Sequence, residues 1–161
     1  MPDSPDWIPQ LIYFEDYGND WSRYIDAVYA VFYRDFIENK PDLNGLPVFI
    51  KRDPIDQGKE SGFWHLISEG EHEENRQPDF RRCERVAWIK AIIEHEKDPE
   101  IKTWINKRGR SRRKLLWCEA TEYLVVLDAR RNHWVLWTAY PVTNKHRKIK
   151  LQRDYEACKK S

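Results

Sequence analysis

Between residues 115 and 142 the chain reads LLWCEATEYLVVLDARRNHWVLWTAYPV. Three runs rich in Leu, Val, Trp, Tyr and Thr stand between short polar links, which is the pattern of strands and turns. Links this short cannot carry a crossover, so the runs are expected as an antiparallel meander. DARRN is the hairpin turn between the last two, with Arg130 to Asn132 at its tip. A sheet of this kind needs a second layer to bury it.

The earlier part of the chain supplies that layer. Trp21, Ile25, Val28, Phe32 and Phe36 recur at helical spacing, with Asn19 or Asp20 as cap and Pro41 as stop. Residues 11–15 (LIYFE) and 47–51 (PVFIK) are expected as short strands, and residues 53–62 as a loop. Then comes GFWHLI, an apolar run around a histidine, followed by an acidic connector over 69–79. Asp79 can cap a helix from Phe80 to about His95, and a short helix is expected over 98–107. The basic tail ends in LQRDYEACKK, a candidate terminal helix. Helices first and strands later predict an α+β fold, with N-terminal helices packed on one face of a small twisted antiparallel sheet. Residues 1–46 read as a helical extension and 47–161 as the main α+β domain, the two forming one unit.

Composition narrows the function. Eight Trp and eight Tyr in 161 residues exclude a disordered chain. No run approaches 18 apolar residues, so no membrane partner is expected. The N-terminus MPDSPDWIPQ is acidic and lacks an apolar segment, which predicts a cytoplasmic protein without a signal peptide. Cys83, Cys118 and Cys158 are odd in number and far apart, a poor basis for disulfides or zinc. No histidine pair has metal-ligand spacing, and the P-loop, GxGxxG, GxSxG, HExxH and DxDxDG patterns are missing, so neither metal nor cofactor is expected. The net charge of +1 hides an asymmetry: residues 1–50 carry −6, residues 51–100 carry −4, and residues 101–150 carry +10. A local charge of that size suits a polyanion, although acidic and basic segments can also face each other.

Four groups of residues could carry chemistry. His65 lies inside FWHLI and can serve as general acid or base, or as a structural histidine. Arg82 and Arg85, with Arg81, open the helix at 80–95 against its macrodipole, which a phosphate would relieve, as would pairing with Glu84. KRGRSRRK, residues 107–114, offers Lys107, Arg108, Arg110, Arg112, Arg113 and Lys114 as a flexible basic loop, for a nucleic-acid backbone or simply solvated, with Trp104 and Trp117 on either side as stacking or core residues. Thr138 and Tyr140 share one face of the last strand and can line a cleft.

The order GFWHLI, RRCERVAWI, RRKLLW, EYLVVLDARRNHWVLWTAYPV resembles the phage-associated nuclease-like proteins of the barnase/EndoU/colicin/RelE (BECR) superfamily. The resemblance covers roughly residues 47–155. It implies a helical part followed by a four-stranded antiparallel sheet, and a toxin-like, metal-independent RNA endonuclease without cofactors. On that expectation His65 is the acid or base, and Arg82, Arg85 and one of Arg112 and Arg113 stabilise the phosphate. Thr138 and Tyr140 position it, and the basic segment holds the backbone. RNA, with tRNA and mRNA as candidates, is the expected partner, and an antitoxin or immunity protein a further one. The alternatives are a non-catalytic RNA- or DNA-binding protein and an interaction module of a phage or toxin system.

Overall fold

The computed structural model describes residues 4–70 and 72–159. Helix α1 spans Trp21–Tyr33, and the Asp20 carboxylate caps it by accepting from the Arg23 amide at 3.3 Å. Ile25, Val28 and Phe32 face inward as their spacing predicts, with Tyr24 beside them, and a π-helical turn at Arg34–Glu38 adds Phe36, whereas Trp21, expected in the same stripe, is exposed. Residues 11–15 form no strand. The Ile12 amide donates to the Glu84 carbonyl at 3.0 Å and the Ile12 carbonyl accepts from the Tyr24 hydroxyl at 2.8 Å, so helices hold this segment.

Strands β1 (Asp42–Leu43) and β2 (Leu46–Phe49) follow. A two-residue ladder, β3 (Ile55–Asp56) with β4 (Lys59–Glu60), leads into helix α2 (Ser61–Ile67). A second ladder, β5 (Ser68–Glu69) with β6 (Gln77–Pro78), leaves it. The helix expected over 80–95 is two helices, α3 (Phe80–Glu84) and α4 (Val86–Glu94), broken at Arg85, where φ is −108° and ψ is 14°. Asp79 caps α3, accepting from the Arg81 amide at 3.1 Å.

Four strands come next, β7 (Ile101–Arg108), β8 (Ser111–Cys118), β9 (Tyr123–Ala129) and β10 (Trp134–Pro141), then helix α5 (Lys145–Lys159). The expected helix at 98–107 is therefore a strand. Thr103 and Ile105 favour extended backbone, and β7 pairs with β8 from Ile101↔Cys118 to Arg108↔Ser111. The run 107–114 is not a loose loop but the outer end of that hairpin, turned at Gly109 with φ of 59°.

Six strands form one sheet in the order β1-β2-β10-β9-β8-β7. The meander β7–β10 is antiparallel, but β2 joins β10 in parallel, with Trp134↔Val48 and Val135↔Phe49 in register. A long intervening chain of helices makes that pairing feasible. The fold is α+β, and helices lie on both faces of the sheet rather than on one. On one face Tyr24, Phe32, Phe63 and Ile92 pack with Leu116, Val125 and Leu136 in a single core. That core joins residues from both sides of position 46. On the other face α5 sets Leu151 over Trp104, Trp117 and Leu124. It leaves the neighbouring part of β10 open, where Trp137 is exposed and Thr138 half-buried.

Candidate functional site

Helix α2 is docked by its backbone. The Gly62 amide donates to the Lys51 carbonyl at 2.8 Å and the Ser61 amide to the Arg52 carbonyl at 3.2 Å, so the first turn rests on the segment leaving β2. A Cβ on Gly62 would stand 2.5 Å from the Lys51 carbonyl oxygen. Gly62→Ala is therefore expected to lower stability by about 1–3 kcal/mol, the usual range for overpacking. Urea denaturation measures this, and an unchanged midpoint would show that the helix need not sit so close.

Side chains fix the rest of α2. Phe63 is fully buried against Tyr29 and Phe32 of α1, with ring centres 5.1 and 5.3 Å away. The Tyr29 hydroxyl donates to Glu60 Oε1 at 2.7 Å, and burial with this bond pushes its pKa up to about 12. At the far end the Arg76 guanidinium donates to the His65 and Gly70 carbonyls, each at 2.8 Å, and to the Ser68 carbonyl. Arg82 Nη1 donates to the same Ser68 carbonyl at 2.7 Å. Two arginines thus clamp the chain around His65.

The consequence is a cleft of about 440 Å³ between α2, residues 49–51 and the start of β10. His65, His133, Lys51, Arg130 and Trp137 all line it. The His65 ring lies 5.9 Å from that of Trp137, and the His133 ring meets Phe49 edge-on at 5.0 Å. His133 reaches the cleft because the β9–β10 hairpin closes there, with the Arg130 amide donating to the His133 carbonyl at 2.9 Å.

Trp137 also walls a second, smaller pocket of about 140 Å³ on the open half of the sheet face. Arg108, Arg113, Thr138, Tyr140 and Arg147 line this one. Arg147 Nη2 donates to the Tyr140 hydroxyl at 2.9 Å. Arg113 Nε donates to Asp128 Oδ1 at 3.2 Å, and its guanidinium lies 4.6 Å from the Trp137 ring centre.

The residues singled out from the sequence are thus divided among several places. His65 lines the larger cleft, and Thr138, Tyr140, Arg108 and Arg113 line the smaller pocket. Arg82 lies behind Tyr140, its guanidinium 5.2 Å from that ring, and burial followed by the Arg76 charge lowers its pKa. Arg85 binds the Arg81 carbonyl at 3.0 Å and Glu84 at 3.1 Å, away from both cavities. For Arg85 this is the pairing with Glu84 that the sequence offered beside a phosphate. Lys107, Arg110 and Arg112 are exposed along the β7–β8 hairpin, while Lys114 pairs with Glu96 at 3.1 Å. Lys51, Arg130, His133, Trp137 and Arg147 carry no sequence motif. Only the hairpin reading of DARRN places Arg130 and His133 side by side.

Burial pushes the Cys83 thiol up to about 12, which removes it as a nucleophile. Among the described residues no three His, Cys, Asp or Glu side chains gather to hold a metal ion, and no helix is long and apolar enough to cross a membrane. Compared with protein-family models, with curated proteins and with solved structures, the chain matches none.

Proposed function

We propose that this protein is a metal-independent RNA endonuclease. The observation that carries the reading is the convergence of His65 and His133 on one cleft beside Lys51 and Arg130. Cleavage of RNA without a metal needs a base for the 2′-hydroxyl, an acid for the departing 5′-oxygen, and cations for the charge that builds on phosphorus. Two imidazoles supply the first two, one neutral and one protonated, because histidine changes charge near neutrality. The neutral ring takes the 2′-hydroxyl proton as that oxygen attacks phosphorus. The protonated ring gives its proton to the 5′-oxygen as the P–O bond breaks. The products are a 2′,3′-cyclic phosphate and a free 5′-hydroxyl. Lys51 and Arg130 offset the phosphorane charge. Arg76 and Arg82 act through the backbone, holding the turn that follows His65.

The test is incubation with total RNA in EDTA, followed by analysis of the ends. Discrete fragments with cyclic phosphates support the reading. Intact RNA would overturn it and leave the second reading, an RNA- or DNA-binding protein, for which the arginine-lined pocket beside Trp137 speaks. A nuclease of this kind acts as a toxin on cellular RNA. Growth arrest on expression, relieved by a co-expressed inhibitor, tests that role.

A further inference from the structure

The register of β10 against β9 slips between Leu136 and Thr138, so Trp137 has no partner in the ladder. Such a bulge re-aims a side chain. Leu136 and Ala139 on either side are buried, whereas Trp137 is 42% exposed. Its ring is held between two different surroundings, with Arg113 over it and His65 beside it. Arg113 does not wander, because Asp128 binds it. Asp128 also faces Arg130 at 3.6 Å, so its charge is shared between two arginines.

From this we infer that Trp137 is a stacking platform for one unpaired base, and that the pocket of Arg108, Arg113 and Arg147 takes the phosphate next to it, so that the substrate class is single-stranded RNA. The occupant follows from charge and shape together. Three guanidinium groups line a pocket of about 140 Å³ with the Thr138 and Tyr140 hydroxyls, a set that suits a phosphate oxyanion. Asp154 also lines the pocket, but it pairs with Lys150 at 3.1 Å. Trp137 is a wall of both cavities, so a base on its ring has one phosphate in the arginine pocket and the other in the cleft of His65 and His133. A paired base has no free face to offer, and stacking on a protein aromatic ring requires one that is splayed out.

The inference builds on the reading of the neighbouring cleft, and its test uses a strand that cannot be cut, so the two can fail separately. A labelled 2′-O-methyl oligonucleotide, which lacks the attacking hydroxyl, is titrated with the protein as a single strand and as a duplex, with binding read by fluorescence anisotropy. The single strand is expected to bind at least tenfold tighter. Trp137→Ala and Trp137→Leu should each weaken it about tenfold and abolish the preference, the size of one lost base stack. Trp137→Phe, which keeps a ring, should restore most of the binding. Trp21→Ala, at an exposed indole far along the chain, should change nothing. Arg108→Gln and Arg147→Gln should each reduce the slope of log affinity against log salt by about 0.7. Equal binding of duplex and single strand, or wild-type binding by both Trp137→Ala and Trp137→Leu, would overturn the inference whether or not natural RNA is cleaved. Loss of cleavage in EDTA with single-strand binding intact would instead sink the nuclease reading and leave this one standing.

Discussion

Alanine at either His65 or His133 is expected to lower RNA cleavage in EDTA by about 10²–10⁴-fold, the range that general acid–base catalysis supplies. The double variant should be little worse than either single one, because an acid and a base that act in one step fail together. Both residues line the same cleft from different elements, His65 from α2 and His133 from the turn just before β10. Both are only half-buried, so neither variant should shift the melting temperature appreciably. The rate of the wild type against pH should be bell-shaped, since one imidazole must be neutral while the other is protonated. Each single variant should lose one limb of that bell. Full activity in either single variant would remove that histidine from the reaction, and a loss of activity that tracks unfolding would make its role structural.

Phe63→Ala should have the largest effect on stability, about 3–5 kcal/mol for an aromatic side chain removed from a sealed site. Phe63 is fully buried and meets Tyr29, Phe32 and Trp64 at ring-centre distances of 5.1, 5.3 and 5.3 Å. For a chain of this length the expected fall in melting temperature is roughly 6–20 °C. The variant should also cleave poorly well below its melting point, because Phe63 seats the helix that carries His65. Phe63→Leu should recover much of both properties. Wild-type stability in Phe63→Ala would mean that the backbone contacts of α2 with Lys51 and Arg52 hold it without this ring.

The sequence made α1 legible because one stripe, Ile25, Val28 and Phe32, has a single helical solution with Asp20 as its cap. The β9–β10 hairpin was legible for a similar local reason: DARRN separates two runs that both favour extended backbone. Residues 98–107 misled because Ile101 and Trp104 are three apart, the spacing of one helix face, whereas in β7 they point to opposite faces of the sheet and enter different cores. Only pairing with β8 decides the matter. The basic run at 107–114 looked like a loop because charge marks exposure and not conformation. Half of the candidate cleft was out of reach for a different reason. Nothing near His133 in the chain marks it, and it shares a cleft with His65 only through the docking of α2 and the pairing of β2 with β10. Arg82 and Arg85 stand out in the sequence by their place at a helix start, whereas in the fold Arg82 donates to the Ser68 carbonyl and Arg85 to the Arg81 carbonyl and Glu84.

The parallel seam between β2 and β10 also sets a timetable. The Trp134 indole donates to the Leu43 carbonyl at 3.1 Å, a bond between positions 91 apart. On the ribosome, therefore, β2 emerges long before its partner exists, and the aromatic stripe of α1 waits with it. Contacts of such separation form late, because the chain between them must first be closed into a loop. Lys51 and His65 belong to the early part, Arg130 and His133 to the late part, and the cleft needs both. If the cleft cuts RNA as proposed, the nascent chain carries no activity until β10 has cleared the exit tunnel, and the message and ribosome that make it are spared until then.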